Sequence, residues 1–217
     1  MSRGARGFIG TNLAAIYVRA GLGAGAGIAS FMDFRGQVAK VCGVDPDPRV
    51  LENPLLDEAK IGTGEALPYG DARFDVVIAN SVLEHLSHPK QVFREVSRVL
   101  KPGGLFLAKT PNKWHYITLI SRMTPHWFHA KYNSLRGVVQ EDVFPTFYRA
   151  NTLRDLEMLA EQSDLGVLKC SLIEGRPEYL RVLWLAYLCG VLYERLVNSF
   201  DFLQFIRVVI IATFRRK

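Results

Sequence analysis

Cysteine is scarce in this chain of 217 residues: Cys42, Cys170 and Cys189 are an odd number, and no two stand in a Cys-x-x-Cys spacing. That excludes a disulfide framework and a zinc ribbon, and predicts a reducing, cytoplasmic setting. Long apolar runs are absent too. The most lipid-like stretch, Val182 to Tyr193, is bounded by Arg181 and by Glu194-Arg195, well short of the roughly 20 residues a spanning helix needs. Near the N-terminus Arg3 and Arg6 precede Phe8 to Val18 in the manner of a leader, yet Thr11 and Asn12 interrupt the run and Arg19 closes it. A strand running into a glycine loop is the better reading. There is no dense Lys/Arg run and no basic stripe with interleaved aromatics, so nucleic acid is not an expected partner. Repeats and low-complexity segments are also missing, apart from the small-residue run Gly21 to Gly27.

What is present is the balance of a globular protein, 49% hydrophobic and 22% charged, with a length that fits one α/β domain. The net charge of +6 is unevenly placed: residues 1–100 hold 11 basic and 11 acidic side chains, residues 101–217 hold 16 and 10. The basic half can meet acidic substrates or phospholipid. Strand signals fall on Ala14 to Ala20, Val38 to Val44, Phe74 to Ala79, Leu105 to Ala108, Gly166 to Ile173 and Phe205 to Phe214. Helices are predicted over Arg49 to Lys60, over His88 to Leu100 with Val92, Phe93, Val96 and Val99 on one face, over Thr152 to Ser163 with Asn151 or Thr152 as N-cap, and over Tyr179 to Phe200. Asn112 to Ala150 is rich in aromatics, His and Pro without a steady period, and reads as a cap over a site. Strand–helix alternation predicts a mostly parallel sheet with helices on both faces.

The glycine loop stands between the first strand and the helix-compatible Ile28 to Phe34. Glycines there let the backbone approach a ligand, and the N–H groups opening the next helix can bind an anion. Tight strand–helix packing explains the small residues equally well. Asp45 adds a second signal, because it ends the next strand, where a carboxylate can accept both hydroxyls of a ribose. A turn-forming Asp before Pro46 is the plainer reading. A dinucleotide oxidoreductase can use the same pair, since Gly21-x-Gly23-x-x-Ala26 satisfies a relaxed G-x-G-x-x-G/A pattern.

Downstream motifs separate these readings. Leu22-Gly23-Ala24-Gly25-Ala26-Gly27, Gly43-Val44-Asp45-Pro46, Gly64-Glu65-Ala66-Leu67-Pro68-Tyr69, Phe74-Asp75-Val76-Val77, Leu83-Glu84-His85-Leu86 and, most specifically, Glu95 to Gly104 together resemble the class I S-adenosylmethionine-dependent methyltransferases. The nearest branch is the one similar to ubiquinone and menaquinone biosynthesis methyltransferases. The resemblance implies a Rossmann-like α/β sandwich with a seven-stranded sheet and an added helical and aromatic cap. It divides one domain into a donor-binding core over 13–112, a substrate cap over 113–150 and closing elements over 151–217. S-adenosylmethionine is the implied cofactor, a small-molecule acceptor the implied partner. The backbone of Gly23, Ala24, Gly25 and Gly27 would hold the methionine end, Asp45 with Pro46 the ribose, Gly64, Glu65 and Ala66 the adenine, and Asn80 and Ser81 the methionine portion.

His85 is the acid/base candidate of the matched core, since imidazole accepts a proton near neutral pH; shaping the pocket wall is the alternative. Asn112, His115, Tyr116 and Tyr148 lie in or beside the cap, placed either to touch an acceptor or simply to pack. His126 and His129 are three apart with no third ligand in pattern, so no metal is expected. Val182 to Tyr193, with Trp184, Tyr187 and Tyr193, is either a buried helix or a peripheral membrane contact. Gly21 and Thr63 stand where the family usually has an acidic residue, and Arg19 interrupts a strand that is normally apolar. These departures keep open a noncatalytic binding or scaffold protein with weakened donor affinity.

Overall fold

The computed structural model describes residues 14–19, 38–124, 145–177, 180 and 183–217, with side chains described from residue 38 onward. The loop Gly21 to Gly27, the helix expected over Ile28 to Phe34, and His126 and His129 within the cap lie outside the described residues.

The strands are β1 (Ala14–Arg19), β2 (Lys40–Asp45), β3 (Glu58–Ile61), β4 (Phe74–Asn80), β5 (Leu100–Pro111), β6 (Leu165–Ile173) and β7 (Val209–Arg216). They form one sheet in the order β3-β2-β1-β4-β5-β7-β6. The first five run parallel, and β7 is antiparallel to both β5 and β6. Central strands must be apolar on both faces, and β2 obeys: Val41, Cys42 and Val44 are all buried.

The helices are α1 (Pro89–Val99), α2 (Tyr116–Met123), α3 (Leu153–Glu161) and α4 (Trp184–Ser199). Pro89 opens α1 with its φ already helical, and Val92, Phe93, Val96 and Val99 are its buried stripe. Thr152 caps α3 by accepting the Asp155 N–H. Both helices pack on one face of the sheet, where Phe93 of α1, Phe106 of β5 and Phe214 of β7 meet with ring centroids 5.4 to 5.7 Å apart. These aromatic contacts join residues 121 positions apart in the chain, from Phe93 to Phe214, and add roughly 0.5–1.5 kcal/mol per pair beyond area burial.

Several sequence expectations need correction. Arg49 to Lys60 is not a helix: Pro48–Glu52 is a 3-10 turn, and Glu58–Ile61 is the edge strand β3. Pro54 interrupts helical propagation, and pairing with β2 then takes the segment after it. The cap is not wholly aperiodic, because α2 occupies Tyr116–Met123. The fifth strand begins before Leu105, with an irregular lead-in: Phe74 pairs with Leu100 and Val76 with Leu105. Gly103 takes up the change of direction at φ 78°, and a Cβ on Gly104 would sit 2.9 Å from the Lys101 carbonyl. Near the C-terminus Asp201–Ile206 is a 3-10 segment, so the last strand starts at Val209 rather than Phe205.

Candidate functional site

The chain leaves β1 toward β2 on one side of the sheet, while β4 lies on the other. In open α/β sheets such a reversal opens a crevice at the carboxyl edge of the strands. The register places two candidate residues there. Arg19 pairs with Asn80, the last residue of β4, and Val18 pairs with Val44, next to Asp45 at the end of β2. Asp45 and Asn80 therefore flank the end of β1, two strand spacings or roughly 10 Å apart. The chain between them continues into the glycine loop.

Asp45 is 8% exposed; its Oδ1 accepts the Asp47 N–H at 2.8 Å and its carbonyl accepts the Gly62 N–H at 3.1 Å. That second bond carries the chain directly to the turn Thr63 to Ala66, closed by the Ala66 N–H donating to the Thr63 carbonyl at 3.2 Å. Pro46 is exposed beside Asp45. The ribose and adenine candidates Asp45, Gly64, Glu65 and Ala66 are thus one connected feature.

What holds the turn is α1. Gln91 donates to the Glu65 carbonyl at 3.0 Å, Glu95 accepts the Leu67 N–H at 2.9 Å, and Arg98 donates to the Leu67 and Tyr69 carbonyls at 3.1 and 2.9 Å. Residues at i, i+4 and i+7 share a helix face, so one polar stripe clamps residues 65–69. The Arg98 guanidinium also bridges Glu95 and Asp71 and holds the Glu95 carboxyl below the usual carboxylate range. Sequence reasoning matched the Glu95 to Gly104 segment but missed this role, although the spacing of Gln91, Glu95 and Arg98 was there to be seen.

Asn80 and Ser81 end β4, with Ser81 at φ 57° and its N–H donating to the Lys109 carbonyl at 2.8 Å. The following 3-10 turn, Leu83–His85, brings His85 to the same edge. Its Nδ1 lies 2.8 Å from the Pro145 carbonyl. A carbonyl only accepts, so Nδ1 carries a proton and donates it.

Behind His85 stands a buried network that sequence reasoning did not find. Glu84 is 6% exposed, and burial raises its pKa. Thr110 donates to its carboxylate at 3.0 Å, and Asn151 donates to Thr110 Oγ1 at 2.7 Å and to the Pro111 carbonyl at 2.9 Å. The Glu84 carbonyl accepts the N–H groups of Phe147 and Tyr148. Tyr148, half-buried at φ 51°, is strapped next to His85 in this way.

The other cap candidates turn inward. Asn112 is buried, with its amide donating to the Phe205 and Arg207 carbonyls and accepting the Trp114 N–H. His115, 1% exposed, N-caps α2 through Nδ1, which places its proton on Nε2, 3.6 Å from Glu174. Burial alone lowers its pKa to about 4, and burial raises that of Glu174 to about 7. Tyr116 packs on Tyr193 with centroids 4.8 Å apart. Among the described residues no group of three or more His, Cys, Asp or Glu is placed to hold a metal ion.

A family profile described as a methyltransferase domain matches residues 18–108. Over that stretch, less than half of the chain, the sequence is similar to methyltransferase domains. Among curated relatives, a Mycolicibacterium smegmatis protein named a probable S-adenosylmethionine-dependent methyltransferase is 39% identical over 98 residues, 42% of this chain and 38% of that one. A ubiquinone/menaquinone biosynthesis C-methyltransferase, UbiE of Laribacter hongkongensis, is 37% identical over 59 residues, 27% of this chain and 24% of its own length. The matched stretches thus span well under half of these relatives. Among solved structures, the geranyl diphosphate C-methyltransferase of Streptomyces coelicolor, in complex with Mg2+, geranyl diphosphate and S-adenosyl-L-homocysteine, superposes with a TM-score of 0.56 at 15% identity, covering 97% of this chain and 73% of that one. That likeness shows the fold, a Rossmann-like α/β sheet of the kind found in that structure. The matched stretch contains Asp45, the clamped turn, Asn80, His85 and α1, whereas Thr110, α2, α3 and α4 lie beyond it.

Proposed function

We propose that the chain transfers a methyl group from S-adenosylmethionine to a small, apolar or lipid-like acceptor. The observation carrying this reading is the position of Asp45 and Asn80 on either side of the end of β1, at the crevice of a sheet whose residues 18–108 match methyltransferases. The residues fit the donor: a strand-end carboxylate for a diol, and a turn over Gly64 to Ala66 held in place by Gln91 and Glu95 for a flat base. When bound, the donor supplies a methyl already activated on a sulfonium, so the protein has to align the partners and exclude water.

In this scheme Asp45 accepts the ribose hydroxyls, Pro46 walls that site, and Gly64, Glu65 and Ala66 border the adenine. Gly23, Ala24, Gly25 and Gly27, outside the described residues, hold the methionine end with backbone N–H groups, and Asn80 and Ser81 orient the same portion. His85 takes a proton from the acceptor at Nε2, and Tyr148 lines the acceptor's approach. Tyr116, Asn112 and His115 form the wall behind. Displacement at a sulfonium needs no metal, and no nucleic acid is involved. The chain acts as one domain, with a core over 13–112, a cap over 113–150 and closing elements over 151–217. It works in the cytoplasm, with peripheral membrane contact through 182–193.

Isothermal calorimetry with S-adenosylmethionine tests the proposal. Asp45→Ala removes an acceptor of two charge-assisted hydrogen bonds and should weaken binding roughly 100-fold or more. A folded sample that binds no donor, or an Asp45→Ala variant that binds like the wild type, ends the proposal. The acidic positions replaced by Gly21 and Thr63, together with Arg19, favour a noncatalytic scaffold as the second reading. Recovery of donor binding in Gly21→Asp from a wild type that has none would establish that reading.

A further inference from the structure

The helix α4 is apolar on the side that faces away from the protein. Its inner side is accounted for: Gly190 and Val197 are buried, Tyr193 packs on His115 and Tyr116, and its hydroxyl donates to the Ile206 carbonyl at 2.9 Å. On the outer side Trp184 (74%), Leu185 (61%), Leu188 (48%), Leu192 (69%) and Leu196 (53%) are exposed. Their spacing of three and four puts them on one face. A helix of a water-soluble domain normally turns that face to the core.

The same surface continues on two neighbours. After α4 the 3-10 segment Asp201–Ile206 and its flank expose Phe200, Phe202 and Phe205. In α2, Tyr116 faces α4, and Ile120 and Met123 follow it at i+4 and i+7; both are exposed, Met123 at 85%. Trp114, before α2, and Trp184, at the start of α4, are half or more exposed, and amphipathic rings of this kind settle at headgroup level.

Charge selects the occupant. The surface carries Arg195 on α4 and Lys113 and Arg122 on residues 113–124, against Glu194 on the flank of α4 and Asp201 in the 3-10 segment, a balance of one positive charge. Glu174, the acid packed beneath, is buried against His115. The whole chain is +6. A second copy would bring the same cationic rim and the same net charge to the contact, whereas an anionic bilayer complements both.

We infer that α2, α4 and the segment Phe200 to Phe205 form a single membrane-docking surface that inserts its apolar side chains into the interface of an anionic phospholipid bilayer. The surface is larger than the 182–193 stretch, of which Val182 lies outside the described residues. It is also tied to the site. Asn112, one residue past the end of β5, is bonded to the Phe205 and Arg207 carbonyls, so docking sets the carboxyl edge that holds Asp45 and Asn80 beside the lipid. For its consequence, delivery of an apolar acceptor from the bilayer, the inference rests on the methyl-transfer reading. Docking itself does not.

Flotation of the full chain with 100 nm vesicles of phosphatidylcholine and phosphatidylglycerol at 7:3, against pure phosphatidylcholine, measures docking. We expect binding to the anionic vesicles at 20 mM NaCl, a loss of at least tenfold with pure phosphatidylcholine or at 500 mM NaCl, and a blue shift of tryptophan emission on binding. Leu188→Asp combined with Leu192→Asp should lower vesicle binding at least tenfold, with circular dichroism and S-adenosylmethionine calorimetry unchanged from the wild type. No flotation of the wild type, or equal flotation of the double variant, overturns the inference. So does a concentration-dependent dimer by light scattering that the double variant abolishes, since the occupant is then a second copy. Vesicle binding by a chain that binds no donor leaves docking standing and removes the methyl-transfer reading alone.

Discussion

A carboxyl group kept from water is either paired or protonated. Glu84 is held between the two: burial pushes its pKa up, while the Thr110 hydroxyl stabilises the charged form. Thr110→Val removes that donor and also leaves Asn151 with only the Pro111 carbonyl among its two acceptors. The variant should lose about 2 kcal/mol of stability at pH 7 in urea unfolding. The sign of its pH dependence follows. Losing the hydrogen bond raises the folded-state pKa of Glu84 further above the ordinary 4.5, so the stability present below that value is lost more completely as pH rises. The deficit is therefore smaller at pH 4 than at pH 7, and a deficit independent of pH would remove Glu84 from the account. Legibility at this scale follows sequence separation. Asp45 is readable as a strand-end carboxylate because its strand and its turn are local. Thr110 and Asn151 are not, because their partners stand 26 and 41 residues away. For Asn112 and His115 the sequence leaves acceptor contact and packing both open, and in the fold each ties off backbone groups while buried.

At the scale of elements, α4 is fastened at its inner face to the start of α2, and beneath it His115 faces Glu174. The pair titrates in opposite directions. Glu174, raised from 4.5 to about 7, contributes stability that is complete below 4.5 and lost as pH rises through 7. His115, lowered from 6.5 to about 4, contributes stability present above 6.5 and lost as pH falls through 4. Between about 4.5 and 6.5 the two slopes cancel, so the wild type should show little pH dependence from this cluster. Single variants expose each half. Glu174→Gln should lose stability on acidification from pH 6.5 to 4.5, and His115→Gln should lose it as pH rises from 4.5 to 7, each by on the order of 2 kcal/mol relative to the wild type. Urea midpoints at three pH values measure this, and parallel profiles for both variants would dissociate the pair. Elements with a strong internal period, α1 and α3, were legible to within a few residues. Glu58–Ile61 was not, because Glu58 and Lys60 suit a helix and only pairing with β2, plus the ion pairs of Glu58 with Lys40 and Arg73, makes the segment a strand.

For the molecule as a whole, sheet order is what turns separate motifs into a site. The alternation of strands and helices implied a parallel sheet, and family resemblance a seven-stranded one, but periodicity alone does not state that β1 lies between β2 and β4. That one adjacency brings Asp45, the exit of β1 and Asn80 together. A ligand bound there touches three strands and the turn clamped by α1, all of which separate on unfolding, so its binding free energy appears in full as stability. At a donor concentration 100 times the dissociation constant the gain is about 2.7 kcal/mol. For a chain of this size that corresponds to a rise in Tm of about 5 to 10 °C. Differential scanning fluorimetry with S-adenosylmethionine should show this shift. Asp45→Ala should show almost none at the same concentration, and NADH should leave the wild type unmoved. A shift with NADH and none with S-adenosylmethionine would mean that the crevice belongs to the oxidoreductase reading that the glycine pattern also satisfies, and the assignment of Asp45 to an adenosyl ribose would then pass to a dinucleotide.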